Sequence, residues 1–358
     1  MDDAYFMGLA LELAKERKGL THPNPTVGCV IVKDGKIIAK ANHERAGMPH
    51  AEAKALAIAG DSAKGSTLYV TLEPCVHYGR TPPCTDAIIK AGVKRVVIAV
   101  LDPNPLVSGK GVERLRQAGI EVKVGVLEDQ AKRINEDFFT YITQKRPYVT
   151  LKFAQSLDGS LATKDYQSKW ISSEESRNYA HKLRAEASAV LVGINTVLRD
   201  NPKLTVRAFK WEKNPLRIVL DPKLKIPMDC NLIKDKEAKT IVITAVEDKE
   251  KIQALEEEGV EVLLAEHENG LLNLKEVLRE LYFKEVMHLL VEGGAKTLTS
   301  FLENRLFDRL CVFVAPIILG EGVRIGDLGI RKVEDGIKLR LRELKTFQQD
   351  VFLEFVKE

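Results

Sequence analysis

A chain of 358 residues suits two domains of ordinary size, each able to bury its own core. Its 54 Lys plus Arg against 51 Asp plus Glu leave a net charge of +3, which gives no electrostatic reason to expect nucleic acid or another polyanion as a partner. No apolar run reaches the roughly 18 to 20 residues that cross a bilayer, and residues 1–18 read as an amphipathic charged helix rather than a signal peptide, so a cytoplasmic protein with no membrane partner is expected.

Hydrophobic periodicity predicts a helix over residues 2–18, then strands over 27–33 and 36–42 joined by a tight Asp34-Gly35 turn. There follow a helix beginning near His50, a strand over 67–71, a helix after Cys84, a strand over 94–100, a helix over 111–118, a strand over 120–124 and a helix running to about 144. That alternation predicts an α/β layered domain. Gln144, Lys145, Arg146 and Pro147 break the pattern and a new strand over 148–153 follows, which places a domain boundary between residues 1–146 and 147–358. The second half repeats the alternation, with a helix over 173–186 and strands at 189–192, 217–220, 240–244 and 288–291. The last strand runs into Gly293 and Gly294, which start a helix whose free N–H groups and dipole suit a cofactor phosphate. No G-x-G-x-x-G follows a strand, so an ordinary Rossmann domain is not expected.

Five cysteines are too few for a disulfide scaffold in a chain of this length. Cys29, Cys230 and Cys311 sit in or beside apolar runs and read as small buried hydrophobes. Cys75 and Cys84 stand elsewhere. His50-Ala51-Glu52 opens a helix, Pro74-Cys75 closes a strand and Cys84 opens another helix, the elements of the zinc-deaminase signature. One imidazole and two thiolates leave a tetrahedral zinc with an open position for water, whose pKa the metal lowers from about 15.7 toward roughly 7. Glu52 then has a role of its own as the general base and acid that moves the water proton to the ring and the leaving amine. His50 and Glu52 lie about 200° apart on an ideal helix, so they serve one site only at a helix N-terminus. A closed structural zinc would want a fourth protein ligand, for which His77 is the local candidate, and would leave Glu52 without a task.

Nucleoside and transfer-RNA deaminases usually place two residues between the cysteines, whereas eight intervene here. The longer loop, Cys75-Val76-His77-Tyr78-Gly79-Arg80-Thr81-Pro82-Pro83-Cys84, and the upstream Pro23-Asn24-Pro25-Thr26-Val27-Gly28 resemble the bifunctional deaminase and reductase of riboflavin biosynthesis. The resemblance covers essentially the whole chain, through Lys152-Phe153-Ala154-Gln155-Ser156-Leu157-Asp158-Gly159, Ser168-Lys169-Trp170-Ile171, residues 195–207 and residues 291–298. It implies a cytidine-deaminase-like N-terminal domain followed by a dihydrofolate-reductase-like C-terminal domain, with Zn2+ and NADPH as cofactors. The implied substrate is a small phosphorylated pyrimidine, a diaminopyrimidinone with a phosphoribosylamino group, whose ring amine is hydrolysed before the ribose is reduced to ribityl. The family often forms homo-oligomers.

Residue by residue, the resemblance implies His50, Cys75 and Cys84 as zinc ligands, Glu52 as proton shuttle, and Asn24, His43 and His77 as deaminase substrate contacts. It implies NADP contacts at Ala154, Trp170, Thr196, Asp200, Gly294, Ala295, Lys296, Thr297, Leu298, Thr299 and Ser300. Reductase substrate contacts are implied at Ser168, Arg184, Leu204, Arg207 and Glu292. Arg184 and Arg207 have the chemistry for bidentate phosphate binding, while Lys152 and Glu292 are candidates for polarising or protonating the sugar. Ser160, Tyr166 and Gln167 depart from the family pattern, as do Ala39 and Ala41. The competing readings are a single-function zinc deaminase of nucleosides or RNA with a non-catalytic second half, and a zinc-stabilised binding module coupled to a nucleotide sensor.

Overall fold

The structure, a computed structural model, describes residues 2–77, 82–105, 107–268 and 270–358. The chain divides into two compact units, Met1–Arg146 and Pro147–Glu358.

In the first unit the order is α1 (Asp3–Lys15), β1 (Gly28–Lys33), β2 (Lys36–Asn42), α2 (Ala51–Ala59), β3 (Thr67–Val70), α3 (Cys84–Lys90), β4 (Arg95–Ile98), α4 (Lys110–Gln117), β5 (Glu121–Val124), α5 (Glu128–Ile134) and α6 (Glu136–Gln144). The strands form one sheet in the order β2-β1-β3-β4-β5, with β1 antiparallel to both neighbours and β3, β4 and β5 parallel. Parallel strands need covered faces, and β1, β3 and β4 are buried almost throughout. Ligands in such sheets collect beyond the carboxyl ends of the parallel strands, and the loop after β3 carries Cys75.

Two predicted boundaries move. Helix α1 stops at Lys15 rather than residue 18, because the chain passes into turns there. The helix expected to run to residue 144 is two helices broken at Asn135. The Asn135 side chain accepts the Thr26 N–H and donates to the Thr26 carbonyl, both at 2.8 Å, which holds its φ at −111° and off the helical value. This amide pairing also anchors the segment that carries Asn24.

The second unit contains β6 (Tyr148–Ser156), β7 (Ala162–Thr163), α7 (Glu174–Glu186), β8 (Ala189–Gly193), α8 (Ile194–Asp200), β9 (Leu216–Leu220), α9 (Asn231–Lys234), β10 (Thr240–Thr244), α10 (Lys249–Glu257), β11 (Glu261–Leu264), β12 (His267–Glu268), β13 (Leu271–Leu272), α11 (Leu274–Phe283), β14 (His288–Val291), α12 (Ala295–Glu303), β15 (Arg309–Ala315), β16 (Gly322–Val323), β17 (Leu339–Phe347) and β18 (Asp350–Lys357). Nine strands make its main sheet, in the order β11-β10-β9-β8-β14-β6-β15-β18-β17. Neighbours from β11 to β15 are parallel, and β18 is antiparallel to both β15 and β17. Alternate residues along the strands feed two cores: Val149, Leu151, Leu289 and Val291 enter one, while Val190, Val192, Leu290 and Cys311 enter the other. Cys29 and Cys230 are buried as well.

Candidate functional site

The first site gathers at the carboxyl end of β3. His50 is the N-cap of α2 with extended backbone (φ −66°, ψ 161°), and Glu52 lies one residue inside the helix. The backbone therefore turns between them, which removes the angular separation that two residues of a continuous helix would have. Cys84 opens α3, its Sγ lies 3.3 Å from His50 Nδ1, and Cys75 Sγ lies 3.7 Å from the same nitrogen. The ligand atoms of His50, Cys75 and Cys84 all fall within 4.8 Å of one another, and His77 lies outside this group and is exposed. Tyr78, Gly79, Arg80 and Thr81 of the intervening loop lie outside the described residues.

This set fits zinc: one nitrogen and two sulfur donors, with no fourth protein ligand among the described residues. Hydrogen bonding from Cys84, opposed by burial and helped by His50, draws the Cys75 thiol well below its ordinary value. The Cys84 backbone N–H also donates to Cys75 Sγ at 3.3 Å, so a thiolate is favoured there even before a cation arrives. Glu52 is 4 % exposed, and burial pushes its carboxyl up to about 7, against the pull of the His50 charge.

Glu73 is a residue that the motif reading passes over. Its carboxylate is 4 % exposed and accepts the backbone N–H groups of Asp102 (3.2 Å), Gly109 (3.0 Å), Gly111 (2.8 Å) and Val112 (3.2 Å). A carboxylate from the β3 loop thus does what no side chain of α4 does for its own N-terminus. Gly111 permits the approach, since a Cβ there would sit 2.4 Å from the Pro74 carbonyl. Glu73 and Pro74 immediately precede Cys75, so the ligand loop is pinned to α4. Glu73→Ala leaves four N–H groups without their anion and is expected to destabilise the first unit by about 3–5 kcal/mol, read as a lower denaturation midpoint by circular dichroism.

In the second unit Glu292, just beyond β14, meets Lys152 of β6 and Arg184 of α7. Arg184 donates through Nε and Nη2 to the two Glu292 oxygens (2.9 Å for Nη2) and through Nη1 to the Thr205 carbonyl at 3.2 Å. Lys152 Nζ lies 3.6 Å from Glu292 Oε2. Burial alone would raise the Glu292 carboxyl, but the Arg184 and Lys152 charges hold it down at about 2. Two expectations change. The bidentate capacity of Arg184 is used on Glu292 rather than left open for a phosphate, and Glu292 is an ion at neutral pH and so has no proton to give. Arg207 is exposed, with no carboxylate within ion-pair distance among the described residues.

Leu204 also differs from a side-chain contact. It is 3 % exposed, packs in the core and has φ of 56°, so its side chain is not presented to a ligand. His181, one turn before Arg184, accepts the Arg207 N–H at Nδ1 (3.3 Å), and burial with the Arg184 and Arg207 charges holds its pKa at about 4. Neutral His181 and charged Arg184 thus brace the 204–207 loop from one helix face.

Gly294 is the N-cap of α12, and its own N–H is used on Thr196 Oγ1 at 3.1 Å, so Thr196 ties α8 to α12. Leu298 is buried in the core, and Thr299 Oγ1 donates to Ala295 O and accepts from Gly326 N. The first turn, Ala295, Lys296 and Thr297, is what remains for an anion. Its packing is close: a Cβ on Gly193 would sit 2.5 Å from Thr297 Oγ1 and one on Gly293 would sit 3.0 Å from Gly193 N. Trp170 is 68 % exposed under the Arg177 guanidinium, and Asp200 and Lys296 are exposed, while Ala154, Ser168 and Ser300 are half-buried. Ser160, by contrast, is wholly buried, and its hydroxyl meets Arg324 Nε at 3.4 Å.

A His-Cys-Cys cluster beside a buried carboxylate, followed by a parallel-sheet unit with an open helix N-terminus, defines a zinc-dependent deaminase joined to a nucleotide-dependent reductase. Residues 1–100 match the cytidine and deoxycytidylate deaminase zinc-binding region, and residues 147–353 match the RibD C-terminal domain. The riboflavin biosynthesis protein RibD of Aquifex aeolicus is 60 % identical over 99 % of this chain and 98 % of its own. A solved Acinetobacter baumannii RibD superposes with a TM-score of 0.90 at 39 % identity, covering 99 % of both chains. The Thermotoga maritima diaminohydroxyphosphoribosylaminopyrimidine deaminase/5-amino-6-(5-phosphoribosylamino)uracil reductase does so at 0.90 and 41 %, covering 99 % of this chain and 98 % of that one. The chain belongs to the RibD family of riboflavin biosynthesis: it is a bifunctional enzyme, a zinc-dependent deaminase and an NADPH-dependent reductase acting on a small molecule. The cytidine-deaminase-like and reductase folds expected from the sequence are those found. No helix among the described residues is long and apolar enough to cross a membrane.

Proposed function

We propose that residues 1–146 remove the ring amine of 2,5-diamino-6-(phosphoribosylamino)pyrimidin-4-one and that residues 147–358 then reduce the ribosyl group of the product with NADPH. The observation that carries the first half is the fully buried Glu52 beside the three-ligand cluster. His50, Cys75 and Cys84 would hold zinc, which when bound supplies Lewis-acid activation of the hydrolytic water. Glu52 takes the water proton, passes it to the ring nitrogen and then to the departing amine, and its burial matches its affinity for a proton to neutral pH. Asn24, whose side chain pairs with His43, would contact the substrate, as would the exposed His77.

In the second unit the first turn of α12 would receive the cofactor phosphate, with Trp170 and Asp200 as further contacts. NADPH supplies the hydride. Lys152 donates the proton that the opened sugar requires, and Glu292 holds Lys152 in place. Arg207 binds the substrate phosphate, with Ser168 and the Leu204 backbone beside it. The enzyme works in the cytoplasm as a homo-oligomer.

The test follows ammonia release and NADPH oxidation separately on the purified zinc-loaded enzyme given the diaminopyrimidinone ribotide. Both signals are expected. Stripping zinc with a chelator is expected to stop ammonia release while NADPH oxidation continues when the deaminated intermediate is supplied directly. Loss of both on stripping would refute the division of labour between the units.

A further inference from the structure

His43 follows β2, is 2 % exposed and has both ring nitrogens engaged. Nδ1 lies 3.2 Å from the carbonyl of Pro49, the residue before the zinc ligand His50, and Nε2 lies 3.0 Å from Asn24 Nδ2. Its ring meets the His50 ring edge-on, with centroids 5.3 Å apart at 83°. The roles of these atoms follow from elementary hydrogen-bond chemistry. A carbonyl only accepts, so Nδ1 bears the proton; a neutral imidazole bears one, so Nε2 accepts. Asn24 must then present its NH2 group to His43, which turns Oδ1 the other way. No donor to that oxygen is found among the described residues, and Asn24 is half-buried, so the acceptor is open.

We propose that His43 is a positioning residue rather than a substrate contact: its Nδ1–H tautomer, set by the Pro49 carbonyl, turns Asn24 so that Oδ1 selects a substrate presenting an N–H donor. The proposal rests on the aminopyrimidine reading above. It assigns to one buried ring two tasks, bracing the peptide before His50 and fixing the polarity of Asn24. A ring with an amine or a protonated nitrogen at the Asn24 position satisfies Oδ1; a carbonyl there faces it lone pair to lone pair and is rejected. Discrimination of this kind favours the amine-bearing substrate over its deaminated product.

The test uses the full-length zinc-loaded enzyme with 15N-labelled histidine, and the His43→Phe spectrum assigns the His43 signals. Long-range proton–nitrogen correlations are expected to give a protonated Nδ1 and a bare Nε2 for His43; a proton on Nε2 would overturn the proposal. Asn24→Asp has no NH2 to give, so Nε2 is expected to gain a proton while Nδ1 keeps the one held by the Pro49 carbonyl. In Asn24→Ala, which removes the acceptor, and in His43→Phe the deaminase KM is expected to rise about tenfold, the worth of one hydrogen bond, with zinc content retained. Reductase turnover on the deaminated intermediate serves as the control for folding. Unchanged KM in both variants would also overturn the proposal. Failure of the wild-type enzyme to release ammonia from the ribotide, with the Nδ1–H signature intact, would strike down the substrate reading while supporting the His43 tautomer.

Discussion

Glu52→Gln is expected to slow ammonia release by about 10²–10⁴-fold, the usual worth of a positioned general acid and base, while zinc content and NADPH oxidation on directly supplied deaminated intermediate stay at wild-type levels. The separation follows from the geometry. Glu52 is outside the His50, Cys75 and Cys84 group, so its replacement by an isosteric amide removes no ligand atom. Stability moves in the opposite direction from activity. Burial penalises a charged Glu52 enough to raise its carboxyl to about 7, and a neutral amide of the same shape avoids that cost. The metal-free variant is therefore expected to melt at or above the temperature of the metal-free wild type. A core carboxylate kept for packing would give the reverse pair of results, lower stability with intact turnover, so activity and melting temperature together decide what Glu52 is for.

The His50, Cys75 and Cys84 cluster was legible because metal chemistry demands particular atoms at a strand end and at two helix starts, and a Cys-His pattern in such places has few other uses. Glu73 stands two residues before Cys75, yet its task was not legible, since the four N–H groups it accepts lie 29 to 39 positions away. The same holds for His43, whose tautomer depends on Asn24 and Pro49 being brought together by the fold. Periodicity found most of the parallel strands of both units but not β11, β15, β17 and β18. Strand β17 is partly exposed along most of its length and mixes charged with apolar residues, so its alternation is weak. The break between α5 and α6 has no proline or glycine to announce it and comes from the Thr26 backbone, 109 residues away. Arg184 shows what spacing alone cannot supply: as an isolated cation it suits a phosphate, but the fold places Glu292, 108 residues on, against its guanidinium.

That pair sets the second large effect. Replacing Arg184 by Met strands Glu292 with only Lys152 at 3.6 Å and is expected to cost about 3–5 kcal/mol, as is Glu292→Gln, which strands Arg184. Both tryptophans, Trp170 and Trp211, lie in the second unit, so their fluorescence during urea unfolding reports this unit alone. The Arg184→Met/Glu292→Leu double variant, with neither charge left uncompensated, is expected to recover most of the lost stability. Reductase turnover is expected to stay low in all three, because the double variant restores packing but not the Arg184 bond to the Thr205 carbonyl or the anion that holds Lys152. The pH dependence has a definite sign. Glu292 ionises at about 2 in the folded chain against an ordinary value of 4.5, so between these the unfolded chain binds a proton that the folded chain does not. Its contribution is present in full above pH 4.5 and is lost as the pH falls toward 2, and the stability gap between wild type and Glu292→Gln is expected to close across that window. A gap that stayed constant with pH would mean that Glu292 acts through packing rather than charge, and Lys152 would then lack the anion assigned to hold it.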